Sequence, residues 1–122
     1  EKEKMPEQYE NVSLDDLVEY SKSMYEYWTE DDFASSFRKM LTIEQFRSEE
    51  MQNLYQQYLV AGPASYVKDL FDSMGFTNAK DKAVRFYAVM HFYYSLYDGA
   101  EDKQNVKDEF VSAIKSLVQD LK

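Results

Sequence analysis

His91 is the only histidine of the chain, so acid–base or nucleophilic chemistry of the serine–histidine kind would have to be built around it. No G-x-S-x-G turn is present to offer an activated serine, so a hydrolytic triad has no recognisable second member. A di-iron bundle would need Glu-x-x-His pairs on facing helices, yet the residue three before His91 is Ala88. The acidic run Glu30-Asp31-Asp32 could attract a cation through carboxylates alone, but it also sits where acids favourably meet a helix N-terminus, and that is the simpler explanation. Cysteine is absent, which removes thiol nucleophiles, disulfides and cysteine-based zinc sites together. The glycines at 62, 75 and 99 are scattered among expected helix ends and form no phosphate-cradling loop. We therefore expect no catalytic residue, no metal and no cofactor, and a role other than that of an enzyme. On the apolar segment that carries it, a lone histidine is more often a hydrogen-bonded interior group than a ligand contact.

What the side chains are suited to is binding. The chain of 122 residues holds 11 Tyr, 8 Phe and 6 Met against 3 Gly and 2 Pro. Aromatic and Met side chains supply large, adaptable contact surfaces, and Tyr adds a polar tip that suits half-wet pockets. Trp28, Phe37, Met40, Tyr55, Tyr58, Tyr66, Phe71, Tyr87, Met90 and Tyr94 are spread over several expected helices. If a bundle of those helices leaves a cavity, they line it with apolar walls and a few phenols, and a small hydrophobic molecule fits there. A tyrosine-rich core is the plainer outcome of the same composition. With a formal charge of -9 and no Lys/Arg-rich block, these residues are not expected to hold nucleic acid by themselves. No apolar run reaches the length of a membrane span and no signal-peptide pattern opens the chain, so we expect a cytoplasmic protein with no membrane partner. The first residue is Glu1 rather than Met, which suggests a processed or excised piece of something longer.

The elements that must position these residues are helices. Low Gly and Pro favour an all-α chain, and the length favours one domain around one core. Residues 1–12, EKEKMPEQYENV, are charged and contain Pro6, and read as a flexible lead-in to a domain over 13–122. Ser13 offers an N-cap ahead of Leu14, Leu17, Val18, Tyr25 and Trp28, which predicts a helix at about 13–28. Thr29 followed by Glu30, Asp31 and Asp32 repeats the device before Phe33, Phe37, Met40 and Leu41, which predicts a second helix to about Gln45. Ser48 caps a third, with Met51, Leu54, Tyr55, Tyr58 and Leu59 behind it. Gly62-Pro63 interrupts that pattern, and Pro63 suits the first position of a fourth helix closed by Gly75. The break is a corner between two helices and also a place where a movement could hinge. Asn78 is expected to cap a long fifth helix that stops at Asp98-Gly99, and Val106, Phe110, Ala113, Ile114, Leu117 and Leu121 stripe a sixth.

The fifth helix carries the strongest constraint. Its segment Ala83 to Tyr97, AVRFYAVMHFYYSLY, has apolar and aromatic side chains all round, interrupted clearly only by Arg85, His91 and Ser95. A helix without a polar face is buried on more than one side, and the second side needs a cavity or another chain. Beside the wide stripe of the last helix, it forms a pair that could meet its symmetry mate as a four-helix interface. The expectation is a bundle of about six helices whose last two form a dimer interface through Phe86, Met90, Tyr93, Tyr97, Phe110, Ile114, Leu117 and Leu121, unless the pair merely completes a monomeric core.

The stretch FRKMLTIEQFRSEEMQNLYQQYLVAGPASYVKDLF from Phe37 resembles the effector domain of TetR-type transcriptional regulators. The likeness rests on MLTIEQF (Met40 to Phe46), LYQQYLVAGP (Leu54 to Pro63) and YSLYDG (Tyr94 to Gly99), and with the final helices it covers about residues 13–121. It implies a ligand-sensing and homodimerising module of a repressor. The helix-turn-helix head through which such a regulator touches DNA has no counterpart in these residues. It places the dimer bundle at 78–98 and 102–121 and points to Phe37, Met40, Tyr55, Tyr58, Tyr66, Tyr87 and His91 as candidates around an effector cavity. A helical adaptor whose aromatic groove accepts a partner helix is the alternative.

Overall fold

A computed structural model describes residues 13–121, and the expected lead-in at 1–12 lies outside them. The described residues form an all-α bundle of six helices: α1 (Leu14–Glu30), α2 (Asp32–Glu44), α3 (Glu49–Leu59), α4 (Ala61–Ser73), α5 (Ala79–Gly99) and α6 (Lys103–Gln119). Side-chain caps begin four of them. Ser13 and Asp16 form a reciprocal capping box on α1, while Asp31, Ser48 and Asp102 accept from backbone N–H groups at the starts of α2, α3 and α6.

Three local expectations are corrected. Asp31, not Thr29, caps α2; Thr29 is buried in the last turn of α1, where its Oγ1 donates to the Tyr25 carbonyl at 2.6 Å. A threonine hydroxyl folded back on its own helix cannot serve the next one. Pro63 is the third residue of α4 rather than its first, a position equally tolerant because the opening N–H groups of a helix have no intrahelical partner. Asn78 does precede α5, but in the left-handed region at φ 54° and without a side-chain cap, a conformation that Asn tolerates better than most residues. Between α3 and α4 the corner is tight: a Cβ on Gly62 would lie 1.8 Å from the Gln57 carbonyl oxygen, so only glycine fits there.

The core is organised by α5, which packs against α4, α6 and α1. Ala79, Ala83, Phe86, Tyr87, Met90 and Tyr94 are its buried positions. Tyr25 of α1 is the wedge between α5 and α6. Its ring stacks on Phe110 at 4.0 Å and on Tyr94 at 5.6 Å, meets Tyr97 edge-on, and its hydroxyl donates to the Tyr93 carbonyl at 2.6 Å. Lys107 of α6 ties down the same side through Glu26 and Glu30 of α1, at 2.6 and 3.0 Å.

This packing revises the expected interface. Phe86, Met90, Phe110, Ile114 and Leu121 are buried within the single chain, because α1 and α4 already cover them. Tyr93, Tyr97 and Leu117 are half-buried beside that core. The apolar residues that α5 leaves in the open are instead Val84, Phe92 and Leu96, with Phe92 59% exposed. Phe110→Ala should therefore cost about 3–5 kcal/mol in chemical denaturation of the isolated chain. Phe92→Ser should change stability by no more than about 0.5 kcal/mol under conditions where the chain is monomeric.

Candidate functional site

A pocket of about 300 Å³ opens beside α5, between α1 and the α3–α4 corner. Each element contributes one stripe. Tyr20, Met24 and Trp28 recur every four residues on α1 and so share one face. Gln57 and Tyr58 close the end of α3, and Gly62, Pro63, Tyr66 and Val67 turn the corner into α4. Phe86, Tyr87, Met90 and Tyr94 form the floor on α5. None of the described residues that wall the pocket is charged.

A phenol hydrogen bond holds the floor at Tyr87. Tyr87 donates to the Leu59 carbonyl at 2.6 Å, satisfying one of the last carbonyls of α3, which lacks a helical partner. Burial pushes the hydroxyls of Tyr87 and Tyr94 well above the usual phenol range, so both stay protonated and neutral.

A smaller, polar cavity of about 140 Å³ lies next to it, sharing Tyr94. Arg38 is its central group and is only 4% exposed. The guanidinium grips Asp98 with two bonds of 2.8 and 2.7 Å, its Nε donates to the Trp28 carbonyl at 3.0 Å, and it lies 5.1 Å from the centre of the Tyr94 ring. One side chain on α2 thus fastens the end of α1 to the end of α5. Tyr55 and His91 complete the wall, with the phenol oxygen 3.2 Å from Nε2. Burial, then the Arg38 charge, lowers the His91 pKa, and the contact fits a neutral imidazole accepting from the Tyr55 hydroxyl.

The candidate ligand residues are therefore distributed over three places. Tyr58, Tyr66 and Tyr87 come together in the larger pocket. Tyr55 and His91 face the smaller one, so their place is corrected from the apolar pocket to the Arg38 network. Phe37 packs edge-on against Tyr58 at 5.3 Å without lining the pocket, and Met40 is exposed on α2, because the inward face of that helix is taken by Ala34, Arg38 and Leu41. Tyr20 and Met24 were not expected in the site. Their four-residue spacing from Trp28 was the available signal, although spacing alone leaves open which neighbour that face meets. Among the described residues no group of three or more His, Asp or Glu side chains is placed to hold a metal ion, and no helix is long and apolar enough to cross a membrane. Compared with protein-family models, with curated proteins and with solved structures, the chain matches none.

Asp98→Asn leaves the Arg38 guanidinium buried without a countercharge and should cost about 3 kcal/mol, with Arg38→Met added to it recovering much of the loss; paired denaturation curves check both. The lowered His91 pKa has a defined sign. As pH falls, the unfolded chain takes up the proton first, so the His91 contribution is intact at neutral pH and is lost as pH drops through the ordinary histidine value toward the folded one. The denaturation midpoint should fall more between about pH 7.5 and 5.5 in the wild-type chain than in His91→Gln.

Proposed function

We propose that the chain is the ligand-sensing and homodimerising domain of a TetR-type transcriptional regulator, cytoplasmic and non-enzymatic. DNA would be reached only through a helix-turn-helix head outside these residues. The observation that carries the reading is the uncharged aromatic pocket, whose size suits a small hydrophobic or aromatic effector. Beside it, α5 exposes Val84, Phe92 and Leu96 on an outer face next to α6, where a second copy can pack.

A route from pocket to outer helix supports the same reading. Trp28 and Tyr94 wall the pocket, and Arg38 touches both through the Trp28 carbonyl and the Tyr94 ring. An effector that favours one placement of these two residues favours one placement of α2. Coupling of roughly 1–3 kcal/mol would change operator affinity by about 5–150-fold.

The adaptor reading has its own observation: Phe33, Met40, Ile43 and Phe46 are exposed along α2 and the residues just after it, Phe46 by 86%. Native mass spectrometry separates the two readings. The sensor predicts a species at twice the 14.5 kDa chain mass that reverts to monomer on Phe92→Glu while the fold is retained. A monomer at micromolar concentration that binds an amphipathic helical peptide through α2 would favour the adaptor.

A further inference from the structure

Independently of the pocket, we infer that the outer face of α2 docks a basic amphipathic helix of a partner protein. Phe33, Phe37 and Met40 follow one another at four and three residues and so share one face of α2. Ile43 widens that stripe and Phe46 carries it past the helix end. Phe33 is 73% and Ile43 75% exposed. The stripe runs on to α3, since the Phe37 ring stacks with Phe33 at 6.0 Å and meets the exposed Tyr58 edge-on at 5.3 Å. The core does not need these side chains, because Ala34, Arg38 and Leu41 take the inner face of α2. A row of large apolar groups at helical spacing, standing in water, is shaped to receive the i, i+3, i+4 and i+7 side chains of another helix.

Charge decides which occupant fits. Asp31 and Asp32 stand exposed at the start of the stripe, and Glu49 and Glu50 stand exposed at its end, just beyond Phe46. Of the two exposed cations between Asp31 and Glu50, Arg47 is matched by Glu44, which leaves Lys39 against those four carboxylates. The chain as a whole carries a formal charge of -9. A helix with Lys or Arg flanking its apolar stripe therefore meets opposite charge at both ends of α2, which steers its approach and fixes its register.

A second copy meets no such welcome. Whether two of these stripes pair head to head or head to tail, each acidic end faces another acidic end, and like charges set against each other across an interface oppose it. An anionic lipid surface is repelled for the same reason. Val84, Phe92 and Leu96 of α5 take no part in the docking, so it is separable from the dimer.

The probe is an acetylated and amidated peptide of about 18 residues, with Leu at the i, i+3, i+4 and i+7 positions and Lys elsewhere. It is compared with a twin in which every Lys is Glu, and with a scramble of the same composition whose Leu residues surround the helix. Fluorescence anisotropy of the labelled peptides gives affinity, and calorimetry gives stoichiometry. We expect the basic peptide to bind one per chain and about tenfold more tightly than either control. Ile43→Ser with Phe46→Ser changes two exposed positions and should leave the circular dichroism spectrum unaltered while weakening the peptide about tenfold. Glu49→Gln with Glu50→Gln should weaken it several-fold at low salt and have little effect at about 1 M salt, where surface charge is screened. Phe92→Glu should leave peptide binding unchanged. Binding of the scramble or the acidic twin as tight as that of the basic peptide, or binding indifferent to Ile43→Ser with Phe46→Ser, would overturn the docking site. Loss, in that same double variant, of co-sedimentation with phosphatidylcholine vesicles or of self-association would assign the face to lipid or to a second copy and overturn it as well. A chain that dimerises but ignores the peptide keeps the sensing reading and loses this docking site; a monomer that binds the peptide does the reverse.

Discussion

Burying the Arg38 guanidinium is the constraint around which the rest of the bundle is arranged. A charge that is 4% exposed has to be neutralised and hydrogen-bonded where it stands, since its desolvation would otherwise cost several kcal/mol. Asp98 supplies the countercharge from the last turn of α5, and Trp28 supplies a carbonyl that the end of α1 leaves unpaired. Both partners are fixed by geometry, so the ends of α1 and α5 cannot drift apart without stranding the charge. An acid at a helix C-terminus is ordinarily unfavourable, and here Arg38 offsets it, while Lys103 donates to the carbonyls of Tyr97 and Ala100 at the same end.

Around that tie, tyrosine does two jobs. Its ring fills space between helices, and its hydroxyl reaches a carbonyl on another helix, as Tyr25 does to Tyr93 and Tyr87 does to Leu59. The consequence is an interior that is heavily aromatic without stranding these phenols. In the pocket Tyr87 is anchored in this way, which leaves its ring to serve as wall, and bulky walls do not collapse easily into the space between them.

The outer surface divides in a corresponding way. The inner face of α2 holds Arg38 and therefore follows the pocket, while Phe33, Met40, Ile43 and Phe46 remain open to solvent around it. Along α5, the residues facing α1, α4 and α6 are consumed by the core and a narrower set, Val84, Phe92 and Leu96, is left over. Apolar surface thus remains on two sides of the bundle, and each is next to an element that touches the pocket wall.

Helix number, helix order and the Ser13 and Ser48 N-caps were legible from residue spacing, because a 3.6-residue period and a capping hydroxyl act over one or two turns and need no distant partner. The sequence also announced that the segment from Ala83 to Tyr97 would be covered on several sides. It could not say by what. Phe86, Met90, Phe110, Ile114 and Leu121 look as suitable for a second chain as for a core, and only the placement of α1 and α4 over them decided the matter. Tyr58, Tyr66 and Tyr87 could be chosen as pocket residues from their type, whereas Tyr20 and Met24 depended on which way α1 turns its aromatic stripe. Arg38 and Asp98, 60 residues apart, carried no local signal at all. Periodicity determines which side chains share a face of a helix; which face meets which is set by the crossing of helices and the closing of loops between distant parts of the chain, and that is decided only in the folded structure.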